Sequence, residues 1–147
     1  MAKFNYKFAA VQRIKSTIEK KVQKELSTID LEIEKTKKVI NDLILEKKQR
    51  KEEVKSKKSL KVSELNFYES LEKNINAKIE LVEREIKKLE KKRIMKQLEL
   101  VEKSKETKMF EKLEVKHYSD FVKEQNKIEQ IEMDDIATKK FVRSGRK

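Results

Sequence analysis

The chain has 147 residues, 39 of them basic and 27 acidic, for a formal net charge of +12. It has no Pro, Cys or Trp, one His, and a single Gly at position 145. That inventory excludes a turn-rich sheet, a glycine phosphate loop, a thiolate or His-cluster metal site and a disulfide scaffold.

Apolar residues make up only 36% of the chain, too few for a thick core. It is therefore either disordered or a long helix with a narrow apolar seam, and periodicity decides between them. The longest apolar run is Phe8–Val11. A membrane span needs about 20 such residues and a signal-peptide core about 7–15. Ala2 cannot be N-myristoylated. The expectation is a cytosolic chain.

In the first third, apolar side chains fall at Phe4, Phe8, Val11, Ile14, Ile18, Val22, Leu26, Ile29, Ile33, Ile40 and Leu43, with Thr36 as the one polar member and Val54 at the end. Steps of three and four are those of a coiled coil. Three fours in succession, 14–18–22–26, predict a stutter. Residues 54–63 hold three serines and no helical period, so they mark the turn, with Ser59 or Ser63 as candidate N-cap and Glu64 in the first turn.

A second stripe runs Leu65, Tyr68, Leu71, Ile75, Ile79, Val82, Ile86 and Leu89. It drifts through Ile94, Leu98 and Val101, then reaches Met109, Phe110, Leu113, Tyr118, Phe121, Ile128, Ile131 and Ile136. Outer faces carry Glu→Lys/Arg pairs such as Glu46–Arg50 and Glu80–Arg84. Each contributes about 0.2–0.5 kcal/mol to a solvated helix and none is a catalytic carboxylate pair.

The predicted fold is all-α: two long helices in an antiparallel coiled-coil hairpin, the second overhanging the first. One coiled-coil domain spans 1–147, with helices over about 5–55 and 63–141, a turn at about 56–62 and a frayed basic tail at 142–147. A turn centred near 59 sets residue i opposite 118 − i, so Phe8 meets Phe110. Helix two outruns its partner from near 116, and its apolar residues there are expected to form an interface with another molecule, the alternatives being homo-oligomerisation or a fold-back of the segment.

Residues 1–55 carry a net +6, 56–90 carry +1 and 91–147 carry +5. The predicted picture is a basic open end with a nearly neutral tip. Nucleic acid is the lesser reading: there is no zipper-plus-basic-region layout, aromatics are few, and most basic residues are interleaved with acids; an electrostatic membrane-surface contact, weak and salt-sensitive, is a further alternative. His117 is expected to be an ordinary, partly exposed side chain. Phe67, beside the turn, is either wedged into it or offered to a partner.

The opening Phe4-Asn-Tyr6-Lys7-Phe8-Ala-Ala-Val11-Gln-Arg13-Ile14-Lys15 resembles the start of the flagellar export protein FliJ family. The closing Phe121–Phe141, with Asp134-Asp135-Ile136-Ala137 followed by Lys140-Phe141, is similar to that family's ending. The resemblance covers essentially the whole chain.

It implies a non-enzymatic stalk, similar to the central stalk of rotary ATP synthases, in the flagellar type III export apparatus. The implied partners are the hexameric flagellar export ATPase, the cytoplasmic linker of the membrane export gate, and export-substrate chaperones. No cofactor, metal or small molecule is implied. The ATPase end would use Phe4, Phe8, Val11, Arg13, Lys20, Lys21, Lys24, Tyr118, Phe121, Ile128, Ile131 and Phe141. The gate contact would use Phe67, Tyr68 and Leu71. The implied location is the cytoplasm, at the inner face of the cell membrane at the flagellar base, in service of motility and chemotaxis. The alternatives are a virulence type III secretion stalk and a basic structural or nucleic-acid-binding coiled coil.

Overall fold

A computed structural model describes residues 2–145. Helix α1 spans Ala9–Ser56 and helix α2 spans Val62–Gly145, joined by residues 57–61. No strand occurs among the described residues. The two helices pack as an antiparallel hairpin, and contacts group the chain into two compact units. One is Lys20–Val101, with the turn; the other combines Met1–Glu19 with Glu102–Lys147.

Helix ends differ from the sequence reading for local reasons. Helix α1 begins at Ala9 rather than near 5, because Tyr6 is buried against α2 and holds residues 2–6 out of the helix. The Tyr6 carbonyl accepts from the Ala9 N–H at 3.3 Å, which closes the entry turn. Neither Ser59 nor Ser63 caps α2: the helix starts at Val62, where the Lys61 carbonyl accepts from Leu65 N–H at 3.0 Å. Glu64 does occupy the first turn. Instead of fraying at 142, α2 continues through Gly145; Arg146 and Lys147 lie outside the described residues.

In the turn-bearing unit one line of covered positions keeps a strict three–four alternation. The line runs on α1 through 22, 26, 29, 33, 36, 40, 43, 47, 50 and 54 and on α2 through 75, 79, 82, 86, 89, 93, 96 and 100, with 25, 30, 46, 68, 71, 72 and 99 half-covered beside it. Val22, Ile33, Ile75 and Leu89 are buried. The apolar stripe leaves this seam where the seam itself does not bend. Ile94, Leu98 and Val101 are exposed, and Arg93, Lys96 and Leu100 take the covered places.

In the terminal unit Val11 and Ile14 are likewise exposed, and Gln12 and Lys15 are half-buried in their stead. The predicted stutter is absent. Every four-residue step turns a helix about 40° past a full rotation. Three in succession therefore carry apolar side chains round the flank while the contact line stays at period 3.5.

Charged pairs hold the seam where apolar residues have left it. Arg93 Nε donates to Asp30, and Lys96 reaches Glu25 and Glu99. The Lys96 hydrogen bond holds the Glu25 carboxyl below its ordinary range, and the Glu25 and Glu99 bonds raise the Lys96 ammonium. Long Lys and Arg stems also cover apolar surface, so these positions still pack.

The register also moves. Partners' residue numbers add to 121 for Lys15–Glu106 and Glu25–Lys96, and to 123 for Arg93–Asp30 and Lys51–Glu72. The predicted value was 118. Helical side chains lean toward their own N-terminus, so each covers backbone one or two positions before its own Cα. In an antiparallel pair the two leans add, which accounts for about two to four of the three and five positions by which the partners' numbers exceed 118.

Candidate interaction surfaces

The aromatic-rich opening of the chain folds onto α2 within the terminal unit. Phe4 packs edge-on to Tyr118, with ring centroids 5.2 Å apart, and tilted against Phe121 at 5.4 Å. Phe8 meets Phe110 at 6.2 Å, as the sequence predicts, and His117 at 6.0 Å. Tyr6 sits edge-on to His117 at 5.7 Å, and its hydroxyl donates to the Phe110 carbonyl at 2.9 Å. Burial, and then the Glu114 charge, push the Tyr6 phenol above its ordinary value, so it stays protonated and able to donate.

Below this cluster Lys15 Nζ bonds Glu106 at 3.0 Å, with Lys103 3.9 Å from the same carboxylate. The Lys15 bond holds Glu106 below the usual carboxylate range. Thr107 is buried and donates to the Lys103 carbonyl.

These contacts sort the residues implied for an ATPase end. Phe4, Phe8 and Phe121 are half-buried in the cluster, so much of their surface is already occupied. Val11 and Arg13 are exposed. Tyr118 touches Phe4 yet remains 54% exposed. From 126 to 145 every position of α2 is exposed, including Ile128, Ile131 and Phe141. Ile128 and Ile131 continue the three–four phase of the covered line 110, 114, 117 and 121. They lie on the packing face of α2, beyond the last residue of the arm that covers it. Lys20, Lys21 and Lys24 are exposed and belong to the other unit.

Tyr6, His117 and Thr107 went unremarked as packing residues in the sequence. Tyr6 was legible from its place between Phe4 and Phe8. His117 needed the three-dimensional cluster.

At the turn, Phe67 is 60% exposed, with its ring edge-on to Tyr68 at 6.0 Å. Of its two readings, the structure supports display to solvent rather than a wedge. Tyr68 and Leu71 are half-buried. Lys57 Nζ donates to the Tyr68 hydroxyl at 3.0 Å, a bond that raises the Lys57 ammonium. A cleft of about 540 Å³ opens between the helices here, over Val54, Leu65, Tyr68 and Ile75, with Lys47, Arg50, Lys51 and Lys55 on its walls.

The turn is not nearly neutral, as segment sums suggested. Residues 47–61 hold eight basic and two acidic side chains, net +6. A division at residue 55 had split that cluster in two.

No group of three or more metal-ligating side chains occurs among the described residues, and none of their helices is long and apolar enough to cross a membrane. What the geometry offers is a pair of surfaces: a helical hairpin with an apolar overhang in one unit and a basic turn in the other. This is the class of all-helical, coiled-coil hairpin proteins. More narrowly, the model of the family described as Flagellar FliJ protein matches residues 4–146, and the chain belongs to that family. It is thereby a flagellar, export-associated protein. No curated protein and no solved structure matches it.

Proposed function

We propose that this chain is the non-enzymatic stalk of the flagellar type III export apparatus. Its terminal end enters the central opening of the hexameric export ATPase. The turn end meets the cytoplasmic linker of the membrane export gate, which holds the protein at the inner face of the cell membrane. Export-substrate chaperones are further partners, and flagellum assembly and motility depend on it. Family membership favours the flagellar system over a virulence system.

The observation that carries this reading is the unpartnered seam of α2. Ile128 and Ile131 extend a packing line whose cover stops at the arm, and they are 44% and 60% exposed. An apolar helix face left open in this way suits docking into a preformed groove or ring. Beside the turn, Phe67 offers the gate an exposed aromatic.

The test is truncation after Glu124, which keeps Phe121 and the arm's contacts. The expected result is a chain that stays helical but neither binds nor stimulates the ATPase ring and does not restore motility. Joint replacement of Ile128 and Ile131 by Ser should do the same. A truncated chain that binds and stimulates the ring like the full one overturns the reading.

A further inference from the structure

We propose that the turn between the helices is a docking surface for an anionic phospholipid bilayer. This rests on the membrane-face placement proposed above and adds a lipid contact beside the gate contact made by the turn. Three observations converge on it.

Residues 54–63 include four lysines, Lys55, Lys57, Lys58 and Lys61, and no acid. None of the four makes an ion pair among the described residues; Lys57 instead bonds the Tyr68 hydroxyl and keeps its charge. Glu52 and Glu53 precede the loop on α1 and Glu64 and Glu69 follow it on α2, Glu72 being engaged by Lys51 at 3.5 Å, so the loop itself carries only positive charge.

The first turns of α2, next to the loop, display apolar side chains. Val62 is 76% exposed, Phe67 60% and Leu65 51%. They lie within six residues of one another at the start of α2. Cations beside exposed aromatic and aliphatic groups form the pattern of an interfacial membrane contact: the charges hold anionic headgroups and the apolar groups enter the headgroup–acyl boundary. Nucleic acid would use the lysines but leave Val62 and Leu65 in water.

Third, basic residues continue up the cleft wall at Lys47, Arg50 and Lys51. Arg50 is paired to Glu46 at 3.0 Å and Lys51 to Glu72, so among the described residues Lys47 and Lys55 are the unpaired cations of that wall. Lys55 adjoins the loop, within about a Debye length of a surface the loop touches; Lys47, about 12 Å further along α1, lies beyond that range.

The experiment is sedimentation of the full chain with vesicles of phosphatidylcholine alone, or with about one-third phosphatidylglycerol, at about 0.1 M salt. The wild type should partition onto the anionic vesicles, more weakly as salt rises, and leave neutral ones unbound. Each lysine is worth about fivefold in partitioning, so replacing Lys55, Lys57, Lys58 and Lys61 by Gln should lower it on the order of 100-fold or more. Val62→Ser with Phe67→Ser should lower it on the order of 10-fold while leaving the salt dependence intact. Helicity and ATPase-ring binding are measured on the same variants, and both should be unchanged.

Unaltered vesicle binding by the lysine variant overturns the proposal. So does a wild type that ignores anionic vesicles but binds duplex DNA or a polyglutamate peptide through these lysines. If the wild type binds vesicles yet fails to bind the ring, the stalk reading falls and the lipid surface stands.

Discussion

Tyr6 is the place where a small change tests most of the terminal unit. It precedes α1, is 8% exposed, and fastens the arm to α2 through its ring and its hydroxyl. Tyr6→Phe removes one hydrogen bond and little else. The Phe110 carbonyl lies in mid-helix and keeps its own helical donor, so the loss should be about 0.5–1.5 kcal/mol. Tyr6→Ala also removes the ring. Large aromatic-to-Ala changes in full cores cost about 3–5 kcal/mol; this site is one layer deep, so about 3 kcal/mol is expected. Residues 2–8 should then detach, exposing Phe110 and His117. Hydrogen exchange resolved by peptide is the assay. Amides of 9–19 and 102–121 should exchange faster in the Ala variant and only slightly faster in the Phe variant, while 60–90 stay unchanged. If Tyr6→Ala exchanges like wild type across 102–121, the arm does not hold this unit together and the aromatic cluster is decorative.

The other predictions concern the seam and its charges. Ile75→Asp, which places an unpaired charge at a position 4% exposed, should cost several kcal/mol, on the order of 3–5, whereas Glu80→Gln in an exposed pair should change stability by less than about 0.5 kcal/mol; chemical denaturation compares them. Val22→Ser, at 3% exposure, should cost about 2 kcal/mol or more, and Ile14→Ser, at 59%, less than about 0.5 kcal/mol; equal midpoints would restore Ile14 to the seam. Glu25 and Glu106 are held below the ordinary carboxylate value of 4.5, so their contribution is present above that pH and is lost as pH falls through their lowered values. Acid melts of Glu25→Gln should therefore be flatter below about pH 4.5 than those of the wild type. Lys96, raised above 10.5, contributes below that pH and loses its contribution only as pH rises through the raised value.

The hairpin was legible because period and punctuation agreed: three–four spacing over long stretches, one break at 54–63, and no proline to interrupt either side. The Phe8–Phe110 contact agrees with the turn position, although the ion pairs between the helices sum to 121 and 123 rather than 118. The seam between 93 and 107 was not legible. Reading apolar letters assumes that the covered face and the greasy face coincide. Here Arg93, Lys96, Lys103 and Thr107 occupy covered positions, while Ile94, Leu98 and Val101 look outward. A strict continuation of the phase set by Ile75, Ile79, Val82, Ile86 and Leu89 would have found the true line, because backbone geometry propagates and composition does not. The arm was missed for another reason: Phe4 and Phe8 extend the four-residue stripe on paper, yet residues 2–6 lie outside any helix and residues 7 and 8 form the turn that enters α1.

The distribution of charge, once placed on the fold, changes how the two ends can work. Residues 122–145 carry five basic and five acidic side chains, so the overhang has no net charge. Its acids fall mainly at 129–135 and its bases at 139–143, in separate blocks. A contact made by such a helix is governed by packed area and local pairing, with little long-range attraction to accelerate encounter. The loop is the reverse, with concentrated positive charge, few acids and scattered apolar groups. Its contacts should be fast and strongly weakened by salt, while those of the overhang should be slower to form and salt-tolerant. One chain thus presents two binding chemistries, and ionic strength separates them. Raising salt should release the loop from its partner well before the overhang leaves its own.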